Sequence, residues 1–249
     1  MHVLAVDAGN TAIKMGVFSG SELIARTRMP APDAQLIARF LQEHPAEAGI
    51  GLSVRGDAAE LRELFSPWFF LQTLNSETRI PVVNAYKSPQ TLGPDRLAMV
   101  IGAQQIFPGE NSLVISAGTT ITYDFISAEG VYSGGSISPG LRMRFDALNR
   151  FTAKLPTGEP DETFEERQGS DTRTSILSGV QNGILYEVEG FIRAYQSRCD
   201  TMIMILTGGD ASLFAGLLKK SIFAGSIHTE PDLVLIGLNT VYRYNDQTV

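Results

Sequence analysis

Four short stretches of this sequence carry residue types suited to holding and moving a phosphate. The first, Asp7-Ala8-Gly9-Asn10-Thr11-Ala12-Ile13-Lys14, puts a carboxylate at the end of an apolar run, then a glycine, then small hydroxyl and amide residues. A hairpin turn of this composition aims backbone N–H groups and the Thr11 hydroxyl at phosphate oxygens, with Gly9 leaving room for the phosphate to approach. Asp7 is placed to hold Mg2+ through water, because that ion keeps part of its hydration shell. Lys14 can neutralise transferring charge. The same residues would also serve an ordinary hairpin in which Asp7 and Asn10 satisfy turn N–H groups. Ser116-Ala117-Gly118-Thr119, followed by Thr120 and Thr122, repeats the pattern later in the chain. Thr207-Gly208-Gly209-Asp210 follows the apolar run Met202–Leu206; its paired glycines would let backbone lie against a nucleoside, or Asp210 would cap a helix. The fourth stretch is Tyr86 followed by Gly93-Pro94-Asp95-Arg96. Asp95 could accept a hydroxyl proton as general base, and Arg96 could pair with a carboxylate or a γ-phosphate. The plain alternative is a helix cap beside a solvated arginine.

These residues need strands and helix starts to aim them. His2–Asp7, Ile13–Phe18 and Glu22–Thr27 read as three strands of a meander. Asp33 reads as the N-cap of an amphipathic helix through about Glu43, with Leu36, Ile37, Phe40 and Leu41 on one face. Strands are expected at Ile50–Val54 and Ile80–Val83, and helices at Asp57–Leu64 and Arg96–Ile106. After the loop-like Phe107–Asn111 the opening pattern recurs, with strands at Ser112–Ser116, Ile121–Ile126 and Gly130–Ile137. Asp7–Thr11 aligns with Ser116–Thr120, each between an apolar strand and a following strand. The chain therefore divides into halves 1–109 and 110–249, each starting with a β-meander and continuing into α/β alternation. The second half is expected to hold a helix at Gly140–Asn149, an irregular Pro156–Gly169, a long helix at Thr174–Arg198, the strand Met202–Leu206 and a closing helix at Leu233–Tyr244.

With 249 residues, 43% of them hydrophobic and 19% charged, the chain can bury one large core or two joined smaller ones. A formal net charge of −7 argues against a general nucleic-acid surface. It leaves room for an anionic substrate in a locally positive cleft. Cys199 is the single cysteine, which rules out an intrachain disulfide and fits a reducing, cytoplasmic setting. His2, His44 and His228 are scattered without ligand spacing. No apolar stretch is long enough to span a membrane, and no secretory leader pattern opens the chain.

Asp-x-Gly-Asn-Thr at residue 7, Tyr86 with Leu-Gly-x-Asp-Arg near residue 95, and Gly-Thr-x-x-Thr in the second half together resemble the type III pantothenate kinases. The order, spacing and length agree over essentially the whole chain. The resemblance implies an α/β fold of two ribonuclease H-like (actin-like ATPase) halves. It further implies ATP-dependent phosphorylation of pantothenate to 4'-phosphopantothenate, the first step toward coenzyme A. Carried over by position, Asp7–Lys14 would be the first phosphate loop, Gly118 and Thr119 contacts of the second, and Gly208 and Gly209 an adenosine loop. Tyr86, Gly93, Pro94, Asp95, Arg96 and Thr172 would contact pantothenate, with Asp95 as proton acceptor and Mg2+ near Asp7. The family works as a homodimer with its cleft against the subunit interface. This sequence departs from it at Ser116, where the family places an aspartate that holds a monovalent cation (K+ or NH4+), and at Ser170, where a basic residue is usual. Another small-molecule kinase of the same superfamily, or a catalytically silent regulatory relative, would share much of the pattern.

Overall fold

The computed structural model describes residues 1–56, 58–219 and 221–246. The chain forms two compact units that are not contiguous in sequence. One takes Met1–Gly109, Ile126–Gly134 and residues 232–246; the other takes Glu110–Phe125 and Gly135–Pro231.

The first unit is organised by β1 (His2–Ala8), whose residues from Val3 onward are all buried, giving an apolar run rather than an alternating pattern. It pairs antiparallel with β2 (Ile13–Ser19) and parallel with β4 (Ala48–Ser53). With β3 (Glu22–Met29) and β5 (Leu71–Thr73) the sheet has the order β3-β2-β1-β4-β5. β3 alternates exposed and half-buried residues, as an edge strand with one wet face does. Helix α1 (Ala34–Glu43) starts where Asp33 accepts hydrogen bonds from the Gln35 and Leu36 N–H groups, both at 3.0 Å. It buries Ile37, Phe40 and Leu41 in a cluster with Leu4, Val6, Met15 and Val17 from the sheet and Leu61 and Phe65 from α2 (Ala58–Phe65). The expected strand at Ile80–Val83 shrinks to β6 (Val83–Asn84), in which Val83 is 59% exposed. Pro81 removes a ladder donor from the preceding residues. Helix α3 (Pro94–Ile106) is buried from Arg96 through Ala103.

The second unit opens with β7 (Ser112–Ala117) and β8 (Thr120–Ile126), followed by β9 (Val131–Pro139), which begins in the first unit. There Val131 and Tyr132 pair with β6. β10 (Ile203–Thr207) lies parallel to β7, and β11 (Ile227–Thr229) parallel to β10. Helices α4 (Leu141–Arg150), α5 (Thr172–Leu177), α6 (Gly183–Gln196) and α7 (Ala211–Leu218) accompany this sheet. The expected single helix over Thr174–Arg198 is instead α5 and α6 joined by a π-helical turn at Ser178–Asn182. Ile121, Tyr123, Phe145, Ile184, Val188 and Phe214 anchor the core of this unit.

The closing helix α8 (Leu233–Asp246) lies in the first unit, where it packs along α3. The two helices approach backbone to backbone, since a Cβ on Gly237 would meet the Ala98 oxygen at 1.9 Å and one on Gly102 the Leu233 oxygen at 2.4 Å. Among the described residues no helix is long and apolar enough to cross a membrane.

Candidate active site

In the first unit, Asp7 faces Lys14 across the β1–β2 ladder and Ala8 faces Ile13, so the connecting loop is Gly9–Ala12. Asn10 and Thr11 stand exposed at its tip, while Ala12 and Ile13 are buried. Gly9 has no positive φ, and a Cβ there would meet only the Ala12 oxygen at 3.3 Å and an Asp7 oxygen at 3.7 Å. Its value is an open outer face rather than an unusual backbone angle.

Asp7 is 9% exposed, and burial pushes its carboxyl up from 3.8 to about 6, with Lys14 pulling it down and Asp95 pushing it further up. Asp95 is therefore close enough to Asp7 for the two negative charges to feel each other, although 88 positions separate them in sequence. The hairpin and the Gly93–Arg96 segment converge on one place.

That segment does not adopt the plain alternative of a capping aspartate and a solvated arginine. Gly93 is the N-cap, Pro94 occupies the first helical position, and Asp95 follows in the first turn of α3. Arg96 is 6% exposed, with its guanidinium carbon 5.8 Å from the centre of the Tyr86 ring. Tyr86 in turn stacks on the buried Tyr132 of β9, with centroids 6.2 Å apart and planes at 7°. Its backbone N–H donates to Asn84 Oδ1 at 3.1 Å. Gly134 has a φ of +112°, and a Cβ there would lie 2.9 Å from two atoms of the Tyr86 ring. Sequence reasoning missed Tyr132 and Gly134 as supports of this site. The one available signal was Gly134-Gly135 inside a predicted strand, which marks a close backbone approach.

The second unit brings together another set. Ser116, half-buried at the end of β7, stands opposite Thr207 of β10. Gly118 donates its N–H to the Thr120 oxygen at 3.0 Å, closing the tight β7–β8 turn, in which Thr119 is exposed. Gly208 adopts a φ of +100° and lies against Ala117, whose oxygen accepts the Asp210 N–H at 2.9 Å. The Ser116–Thr119 turn and the Gly208–Gly209 loop therefore form one backbone-lined corner beside the start of α7. Thr172 lies on another element of this unit. It is the first residue of α5, after a capping box between Asp171 and Thr174. It lines a groove of about 1030 Å3 with Met143, Arg144, Leu148, Phe151 and Ile176.

The profile of the type III pantothenate kinase family matches residues 3–194. A type III pantothenate kinase of Phocaeicola vulgatus is 41% identical over 245 residues, which cover 98% of this chain and 99% of that protein. Among solved structures, component A of the Acidaminococcus fermentans (R)-2-hydroxyglutaryl-CoA dehydratase aligns over 100% of both chains with a TM-score of 0.57 at 14% identity. The ROK hexokinase of Thermus thermophilus aligns over 98% of this chain and 100% of its own, with a TM-score of 0.55 at 17% identity. These two share the fold, the α/β actin-like architecture that the resemblance implied. Matched along nearly its whole length by a named relative and over residues 3–194 by the family's profile, the chain belongs to the type III pantothenate kinase family.

Proposed function

We propose that this protein transfers the γ-phosphoryl group of ATP to the primary hydroxyl of pantothenate, giving 4'-phosphopantothenate and ADP. The observation that carries the reading is the convergence of Asp7 and Asp95, one from each of two loops that family members use for phosphate and for acceptor. A new bond forms between the hydroxyl oxygen and the γ-phosphorus, and the bond from that phosphorus to the β,γ-bridging oxygen breaks. The hydroxyl proton goes to the Asp95 carboxylate. Arg96, fixed by Tyr86, pairs with an anionic group of the substrate; the Gly9–Ala12 turn of the first unit is a phosphate loop, and so, in the second unit, is the Gly118–Thr119 turn. Gly208 and Gly209 receive the nucleoside.

Asp7 is a hard oxygen donor, and a divalent cation beside it would relieve the repulsion it shares with Asp95, so it fits Mg2+. Among the described residues no group of three or more His, Cys, Asp or Glu could hold a metal, so Asp7 would be the protein's ligand, with the nucleotide and water supplying the rest. Bound with the nucleotide, Mg2+ supplies positive charge to the phosphate oxygens. Ser116 offers a neutral hydroxyl where family members place a carboxylate, which weakens any K+ or NH4+ site there. The enzyme works as a homodimer in the cytoplasm, its second copy covering the groove beside Thr172. Cys199, whose thiol burial pushes up, stays reduced and unreactive.

The test is ADP release with a panel of hydroxyl acceptors, run on wild type and Asp95→Asn. Turnover should require pantothenate, and Asp95→Asn should lower kcat by roughly 10²–10⁴ with unchanged melting. Equal turnover on other acceptors, or a fully active Asp95→Asn, would sink the assignment.

A further inference from the structure

Glu187 of α6 has no part in the chemistry proposed above, yet three side chains from three other elements converge on it. Tyr123 of β8 donates its hydroxyl to Oε1 at 2.9 Å, and Ser138 of β9 donates to the same oxygen at 2.5 Å. Arg144 of α4 donates to Oε2 at 2.6 Å. Arg144 also donates from Nε to the Pro139 oxygen at 2.8 Å and from a terminal nitrogen to Ser138 Oγ at 3.3 Å. Tyr123 is fully buried and stacks on Phe191, one turn beyond Glu187, with centroids 4.0 Å apart. Although burial opposes it, these donors hold the Glu187 carboxyl below its usual range, as a charged acceptor shared by three donors requires.

Ser138 and Arg144 flank the Ser138-Pro139-Gly140 elbow, where β9 turns into α4. That elbow abuts the Gly118–Thr119 turn with no slack. Gly140 donates its N–H to the Thr119 oxygen at 3.1 Å. A Cβ on Gly140 would lie 2.1 Å from the Gly118 oxygen and 2.5 Å from that of Thr119. Backbone meets backbone, so a shift of the elbow becomes a shift of the turn.

We infer that Glu187 is a positioning residue for nucleotide binding: through Ser138 and Arg144 it clamps the elbow on which the Gly118–Thr119 turn rests. The inference rests on the reading of that turn as a phosphate loop. A role confined to stability would lower the melting temperature and leave affinities alone, whereas a positioning role changes nucleotide affinity in the folded protein.

The experiment measures ATP binding by calorimetry in excess Mg2+ and without pantothenate, at a temperature well below melting, with KM values for both substrates alongside. Glu187→Gln, which sets an amide nitrogen against Arg144 or Tyr123, should weaken ATP binding roughly 5–20-fold and raise the ATP KM to match, with the pantothenate KM within about twofold. ATP affinity within about twofold of wild type in folded Glu187→Gln overturns the inference. Should Glu187→Gln fail to fold, Tyr123→Phe decides, since it removes one donor and keeps the ring on Phe191. ATP binding weakened more than about twofold supports the clamp, and unchanged binding refutes it. Wild-type protein that binds no ATP would instead defeat the phosphate-loop reading, and this inference with it.

Discussion

Asp7 shows how a buried carboxylate, here the proposed metal ligand, acts against the stability of the fold that holds it. Its carboxyl sits at about 6 in the folded protein against 3.8 in an open chain, so the folded state grips the proton more tightly. The stabilising contribution of Asp7 is complete below about pH 4 and lost as pH rises through about 6. At pH 7.5 without metal, keeping Asp7 ionised costs about 1–3 kcal/mol. Asp7→Asn should therefore melt higher than wild type at pH 7.5 in metal-free buffer, with the gain shrinking at pH 5, while turnover falls at least about 100-fold. Equal melting at pH 7.5 would show that Lys14 already compensates the charge. The same titration predicts that kcat/KM at limiting Mg2+ drops below about pH 6, because a protonated Asp7 no longer attracts the ion. Ser116 yields a second prediction at this scale. Activity in Tris buffer at constant ionic strength should respond weakly to added KCl, and Ser116→Asp should gain a saturable response. Strong activation of wild type by K+ would place the cation on other oxygens.

At the scale of elements, the site depends on turns that touch backbone to backbone. Adding one methyl group at Gly140 would force α4 off the Gly118–Thr119 turn, given the 2.1 Å approach. Gly140→Ala should raise the ATP KM by roughly 10-fold or more and cost about 1–3 kcal/mol of stability. Paired ATP and pantothenate KM values with a chemical melt check this, and a variant with wild-type ATP KM would show that α4 yields without moving the turn. Gly134 and Tyr86 form the corresponding pair in the first unit, where the missing Cβ makes room for the ring that underlies Arg96.

At the scale of the whole molecule, the proposed homodimer turns on the groove beside Thr172. Phe151 is 80% exposed and Met143 41%, and they line the groove with Leu148, Leu155, Ile176 and Val180, an apolar surface a second copy would cover. Phe151→Glu should shift the protein from dimer toward monomer in sedimentation and lower specific activity at low protein concentration. A wild-type monomer, or an unshifted variant dimer, would exclude this face as the interface.

The sequence by itself determined the repeated hairpins, the order of Asp7, Asp95 and Gly118, and the amphipathic α1 with its Asp33 cap, because each is a local pattern of period and turn chemistry. The break in the Thr174–Arg198 run was not legible, since a π turn leaves the chain helical on both sides and only offsets the apolar stripe by one residue. Nor was the place of α8, whose apolar face states that it packs but not on which unit. Only tertiary structure joined Tyr132 and Gly134 to Tyr86, and Glu187 to Arg144, across gaps that no local period spans. The same holds for the charge on Asp7, because burial and the approach of Asp95 are properties of the folded packing and of no residue alone.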